Sequence, residues 1–164
     1  MNSKKLFIWG FLFVSVIGSL LHFVYEWSGN NSIVRLFAPW NESTWEHMKL
    51  LFFPMLVLML FLFFKLPEQS PIPVALSIGT LVGLALIPIL FYTYTGVLGF
   101  SVMAIDIAIF YISVLGVFLT GWFLKDNRKL ANRSGLLLTC LVILAILFFI
   151  FSYYPPEIGL FQEP

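Results

Sequence analysis

Two short clusters of ionisable side chains stand out in an otherwise apolar chain. The first contains His22 and Glu26, and the second contains Glu42, Glu46, His47 and Lys49. Both histidines of the protein fall in these clusters, each beside carboxylates. Imidazole nitrogen and carboxylate oxygen form a ligand set that suits zinc, iron or manganese. The first chemistry to consider is therefore the binding of a divalent metal ion.

The composition places these clusters in a membrane protein. Hydrophobic residues make up 60% of the chain, aromatic residues 18% and charged residues only 10%. With a mean hydropathy of +0.99, the chain has more apolar surface than a soluble domain of this length can bury. The net charge of +1 gives no sign of a nucleic-acid partner, and we expect none.

Five apolar segments predict an all-α, polytopic membrane helix bundle that forms a single transmembrane domain over residues 1–164. The segments cover about residues 6–25, 43–64, 72–94, 98–124 and 135–154. An α-helix needs about 20 residues to cross the hydrocarbon core, and short connections make consecutive helices antiparallel neighbours. Gly79 and Gly83, four residues apart, resemble a close helix-packing motif, and we expect them to serve ordinary packing within the bundle. No small-residue cleavage pattern precedes His22, so we expect the first segment to be a retained signal anchor.

The basic residues predict a bundle with its N-terminus inside and its C-terminus outside. In this orientation seven basic residues lie inside, namely Lys4, Lys5, Lys65, Lys125, Arg128, Lys129 and Arg133. Only Arg35 and Lys49 lie outside, as the positive-inside rule requires. Both polar clusters then face outward, where membrane lipids are the expected partners.

The second cluster is predicted to open the second helix, with Asn41 as its N-cap. Glu42 and Glu46 would then share one helical face, and Glu46 and Lys49, three residues apart, would form a pair. His47 lies about 100° further round the helix from Glu46.

Asp106 is the one charge that falls well inside a predicted span, away from the helix ends. If the fourth helix starts near residue 98, Asp106 lies about 12 Å below the outer surface. A lone carboxylate there costs about 2.5 kcal/mol or more, so it should face the bundle and have a partner. His22 is expected at a similar depth. We therefore predict one outward-opening pocket framed by His22, Glu26, Glu42, Glu46, His47 and Asp106.

Each of these residues also has an ordinary structural interpretation. Helix capping and an exposed ion pair would explain the glutamates, and hydrogen bonds within the bundle would explain the histidines and the aspartate. In the functional interpretation the candidate metal ligands are His22, His47, Glu26 and Asp106. The candidate catalytic groups are Glu46, Glu42 and Asp106.

Three functions suit such a pocket. The one we favour is a metal-dependent enzyme at the outer leaflet that acts on a lipid or lipid-linked substrate, with zinc, manganese or iron activating water and a carboxylate as general base. A second is a non-enzymatic module for binding or transporting a small polar ligand or ion, as a homo-oligomer or with a partner subunit in a larger complex. A third is haem or quinone electron transfer, with His22 and His47 as axial ligands.

The stretches around the two clusters resemble a known family. Residues 22–29 read H-F-V-Y-E-W-S-G and residues 39–49 read P-W-N-E-S-T-W-E-H-M-K. They are similar to the H-F-x-Y-[DE]-W-S-G and P-x-N-E-S-x-W-E-H-x-K stretches of a family of small bacterial multi-span membrane proteins of unknown function. The resemblance covers residues 21–54, with Trp40 where a small aliphatic residue is expected. It implies a multi-pass protein of the bacterial inner (plasma) membrane and supplies no activity.

Overall fold

The computed structural model describes residues 2–67, 70–131 and 134–164, and its regular secondary structure there is helical. The α-helices in chain order are α1 (Ser3–Trp27), α2 (Thr44–Lys65), α3 (Ile72–Leu98), α4 (Met103–Leu124), α5 (Arg128–Ala131) and α6 (Ser134–Tyr153). Single 3-10 turns lie at Val34–Leu36 and Gly159–Phe161. All of the α-helices except the short α5 are long and apolar enough to cross a membrane. The prediction of an all-helical bundle with five candidate membrane spans is confirmed.

The turn between α3 and α4 differs from the predicted boundaries. Helix α3 continues to Leu98 and ends at Gly99, whose φ of 81° is left-handed and is accessible to glycine without steric strain. Because α4 begins at Met103, Asp106 lies in its first turn. The prediction that Asp106 is deep in a span is therefore wrong. A carboxylate in the first turn instead complements the positive end of the helix dipole.

The start of α2 also differs from the prediction. Ser43, rather than Asn41, is the N-cap, and its Oγ accepts a hydrogen bond from the backbone N–H of Glu46 at 3.4 Å. The sequence Ser-x-x-Glu is a capping-box pattern that favours this start. Asn41 Oδ1 instead accepts from the Ser43 N–H at 3.1 Å. Glu42 consequently precedes the helix and does not share a helical face with Glu46.

The bundle has two ends that matter for function. We call the end that carries the C-terminus of α1 and the N-terminus of α2 the site end. Among the five spans, α2 is the most buried and α6 the least. Trp45 packs against Phe148 and Phe161, with ring centroids 4.6 Å and 4.9 Å away. These contacts attach α6 and the C-terminal tail to α2 at the site end.

Helices α3 and α4 approach each other closely where α3 carries its two glycines. A Cβ atom at Gly79 would lie 2.3 Å from the carbonyl oxygen of Val117, and one at Gly83 would lie 2.5 Å from Val117 Cγ2. Small residues of this spacing let helix backbones come together in membrane proteins. The Gly79/Gly83 pair therefore packs α3 against α4 within the bundle, at the close approach that its motif resembles.

We expect Gly79→Ala to lower the free energy of unfolding by about 1–3 kcal/mol, because the added methyl group forces α3 away from α4. Gly96→Ala in the same helix is the matched control, since a Cβ atom there meets nothing within 4 Å. It should be neutral or slightly stabilising. Thermal or denaturant unfolding in one detergent compares the two variants. Equal stability of both would contradict the close approach.

Candidate metal centre

Three side chains from neighbouring segments converge at the site end. His22 comes from α1, Glu42 from the segment before α2, and His47 from near the start of α2. One possible ligand atom of each lies within 4.8 Å of the other two. Across residues 2–67, 70–131 and 134–164, no other three His, Cys, Asp or Glu side chains form such a group. We call these three residues the His–Glu–His group.

Tight helix packing brings the two histidines to the same level. At Gly18 a Cβ atom would lie 2.5 Å from the carbonyl oxygen of Leu50 and 2.6 Å from Phe110 Cζ, so α1 lies directly against α2 and α4. His22 follows Gly18 by one turn, and His47 precedes Leu50 by almost one turn. Because α1 and α2 are antiparallel, both rings lie about one turn closer to the site end than this contact.

The ring of His47 is oriented by the backbone. Its Nδ1 lies 3.0 Å from the carbonyl oxygen of Ser43, and a carbonyl only accepts, so Nδ1 is the donor. This leaves Nε2 facing Glu42 Oε2, at 3.3 Å. A hydrogen bond of this kind from the second ring nitrogen is typical of metal-binding histidines. A metal ion bound between Nε2 and Oε2 would replace the proton that these atoms share.

The surroundings of Glu42 stabilise the anionic form of its carboxyl group. The hydrogen bond from His47 lowers the pKa of the Glu42 carboxyl below its usual value, and the opposing effect of partial burial does not cancel it. The nearby charges of His47 and His22 lower the pKa further. The Glu42 side chain is 64% exposed and that of His47 31%. The group is thus open at the surface of the bundle and carries the charge that a cation requires.

His22 contributes a buried nitrogen without a partner. Its ring stacks on that of His47, with centroids 5.4 Å apart and planes at 25°. Among the described residues, nothing forms a hydrogen bond with the buried Nδ1 of His22. Buried polar atoms without partners are rare in folded proteins, and an ion or water is a common explanation. A metal ion bound at Nδ1 would supply such a partner, and one nitrogen of the His22 ring is a possible ligand atom of the His–Glu–His group.

The stacked rings argue against haem ligation. Axial histidines approach a haem iron from opposite faces of the porphyrin. The rings of His22 and His47 are in direct contact with each other, so a porphyrin has no space between them.

Asp106 lies beside the His–Glu–His group and not within it. It precedes Phe110 by one turn, and its charge acts on His47 through space. The partner that the sequence called for is Tyr94, whose hydroxyl donates to Asp106 Oδ1 and accepts from the backbone N–H of Val102 at 3.1 Å. Sequence reasoning missed Tyr94 because a tyrosine near a helix end also fits the belt of aromatic residues found at membrane interfaces. Its position just across a short turn from Asp106 was the available signal.

Glu46 is engaged by Lys49 rather than by the histidines. The ammonium Nζ of Lys49 donates to Glu46 Oε2 at 2.6 Å, to the carbonyl oxygen of Arg35 at 2.9 Å and to Ser152 Oγ. All three ammonium protons therefore have acceptors. We call this arrangement the lysine clamp. The predicted Glu46–Lys49 pair is present. It is buried, whereas the structural interpretation of the sequence expected an exposed pair.

The lysine clamp also fixes the connection between α1 and α2. The backbone N–H of Trp40 donates to Glu46 Oε2 at 3.4 Å. The Arg35 guanidinium lies 3.7 Å from the centroid of the Trp40 ring and 4.9 Å from that of Tyr153, within cation–π range. Since the connection carries Glu42, these contacts help to hold Glu42 in place opposite His47.

Glu26, the remaining predicted ligand, is exposed at the last turn of α1. In the described part of the chain it is not a member of the His–Glu–His group. Glu42 occupies the carboxylate position that Glu26 was expected to share, because the segment before α2 folds back over His47.

The fold and this site define a class: a multi-pass helical membrane protein with a polar His–Glu–His group at one end of its bundle. The chain belongs to a family of unknown function (DUF6512), whose model matches residues 1–164. Membership in a family of unknown function was the expectation from residues 21–54, and it is confirmed. No curated protein and no solved structure matches the chain, so the site itself must carry the functional argument.

Proposed function

We propose that this membrane protein binds a divalent transition metal through His22, Glu42 and His47 and uses it to hydrolyse a lipid or lipid-linked substrate. The observation that carries the proposal is the convergence of three ligand atoms within 4.8 Å. Tetrahedral bonds of about 2.1 Å place ligand atoms roughly 3.4 Å apart, and His47 Nε2 and Glu42 Oε2 are 3.3 Å apart. Zinc, manganese and iron all accept this donor set.

The catalytic part of the proposal rests on the coordination position that three protein ligands would leave free on the metal. Catalytic zinc sites commonly use three protein ligands and keep the fourth position for water, whose pKa the metal lowers to about 7. Asp106, which accepts a hydrogen bond from Tyr94 and acts electrostatically on His47, is the carboxylate that we assign as general base. Glu46 is committed to Lys49, and Glu42 acts as a ligand in this scheme.

We further propose that the site end faces outward from the plasma membrane, with the N-terminus inside. The support is the positive-inside rule, applied to the basic residues at the opposite end and in the loop around α5; Arg133 of this set lies outside the described residues. Exposed Trp27 and Tyr154 at the site end suit the membrane interface. The substrate would then be a headgroup in the outer leaflet, level with the open His–Glu–His group.

A non-enzymatic role, binding or carrying an ion alone or within a larger complex, uses the same residues. The exposure of Glu42 favours it, because a ligand that is 64% exposed can exchange its ion readily. The two roles differ in whether bound metal supports turnover.

The test is to strip the purified protein with a chelator, reload it with zinc, manganese or iron, and measure metal content, thermal unfolding and lipid hydrolysis. We expect stoichiometric uptake, and stabilisation of about 2.7 kcal/mol at a free metal concentration 100 times Kd. Asp106→Asn should still take up metal at saturating concentrations and lose hydrolysis. Absence of uptake would overturn the proposal, whereas uptake without hydrolysis would support the binding role.

A further inference from the structure

An apolar cleft lies between α1 and α2 at the end opposite the His–Glu–His group. It has a volume of about 490 Å³, and its walls include Leu6, Trp9 and Phe13 of α1 and Val57 and Phe61 of α2. The cleft opens on the outer surface of the bundle, because Trp9 is 69% and Phe61 52% exposed. In a membrane-spanning bundle this surface meets lipid chains.

The shape of the cleft suits an extended chain. From Leu6 to Phe13 it follows α1 for about 10 Å at 1.5 Å per residue. Gly10 lies in this wall, where a Cβ atom would come within 2.8 Å of Phe118 Cε1 and 3.1 Å of Leu58 Cδ2. The lack of a side chain at Gly10 thus lets α1 lie close to its neighbours while the larger residues on either side form the walls. The result is a narrow trough along the helices.

Basic side chains gather at the mouth of this cleft. Lys5 is itself part of the lining, and Lys65 Nζ lies 5.9 Å from the centroid of the Phe61 ring. Both lysines lie at the same end of the bundle, where α1 begins and α2 ends. Within the described ranges, Lys5 forms no ion pair. The cleft therefore joins an apolar trough to the positive charge of Lys5.

We propose that this cleft binds one anionic phospholipid, with an acyl chain in the trough and its phosphate group between Lys5 and Lys65. Apolar contact alone gives little preference inside a bilayer, because lipid tails are as apolar as leucine. The trough therefore holds a chain by its shape, and the lysines select the charge of the headgroup. This site is separate from the His–Glu–His group and does not depend on the function proposed for it.

Native mass spectrometry of the detergent-purified full chain, with added phosphatidylglycerol or phosphatidylcholine, tests the proposal. We expect the native protein to retain one phosphatidylglycerol in preference to phosphatidylcholine. Lys5→Gln and Lys65→Gln should each weaken phosphatidylglycerol binding about fivefold and leave phosphatidylcholine unaffected. Val57→Trp, which fills the trough, should weaken the binding of both lipids.

Two matched controls make the result decisive. Lys129→Gln removes an exposed lysine of α5, and Val142→Trp places the same bulky ring on an exposed position of α6. Neither substitution should change lipid binding. Thermal unfolding without added lipid confirms that each variant is folded. Equal retention of the two lipids by the native protein, or an equal loss in Lys129→Gln, would overturn the charge selection. Unchanged binding in Val57→Trp would overturn the cleft as the site.

Discussion

Lys49→Met is expected to lower the free energy of unfolding by about 3–5 kcal/mol, the usual cost of removing one partner from a buried ion pair. The Glu46 side chain is only 2% exposed, so its carboxylate would remain buried without a cation. Ser152 Oγ and the Arg35 carbonyl would lose their ammonium donor as well. Methionine keeps most of the length of lysine, so the loss reports the charge and its hydrogen bonds more than the packing.

A double-mutant cycle separates these contributions. Combining Lys49→Met with Glu46→Gln should recover much of the lost stability, because no buried charge remains. Lys65→Met, at an exposed lysine of the same helix, should stay within about 0.5 kcal/mol of the native protein. Denaturant unfolding in one detergent provides the comparison. A Lys49→Met protein as stable as the Lys65→Met protein would show that the lysine clamp does not form.

Alanine at His22, His47 or Glu42 is expected to reduce metal affinity by at least about 100-fold. Replacing residues that only support a ligand typically costs 10–100-fold, and loss of a ligand should cost more. Glu26→Ala is the matched control for Glu42→Ala, because both glutamates are exposed at the site end and only Glu42 belongs to the group. Competition with a chromophoric chelator measures each affinity. Equal effects at Glu26 and Glu42 would contradict the assignment of ligands.

Asp106 provides a finer test of the same group. Asp106→Asn and Tyr94→Phe should each weaken metal binding by about 10–100-fold or less. These residues are not ligands and affect the ligands only indirectly. A loss in Asp106→Asn as large as that in His47→Ala would identify Asp106 as a ligand. It would then restore the single pocket that the sequence predicts.

The spans were predictable because each is long and apolar, and a helix must satisfy its own backbone in hydrocarbon. The ends of the spans were harder to predict where the turn between two helices is itself apolar. The turn at Gly99 lies between Leu98 and Phe100, so hydropathy continues across it and hides the break between α3 and α4. Asp106 was placed too deep for this reason alone.

Part of the candidate site could also be predicted from the sequence, and part could not. Helical spacing was enough to indicate that His22 and His47 could meet at one end of the bundle. The choice of Glu42 over Glu26 depended on whether α2 starts at Asn41 or after Ser43, a difference of two residues that moves Glu42 off the helix. Ser152 is 103 positions from Lys49, and a lone serine in an apolar segment gives no local sign of such a contact.

The lysine clamp implies an order of events during biosynthesis. Arg35 and Glu46 leave the ribosome at nearly the same time as Lys49, but Ser152 belongs to α6 and emerges 103 positions later. A chain is made from its N-terminus onward. One proton of the Lys49 ammonium group therefore lacks its final acceptor until α6 has entered the membrane. Insertion of α6 is therefore the step that completes the lysine clamp, and a nascent chain in which α6 is not yet inserted holds Lys49 with one acceptor missing.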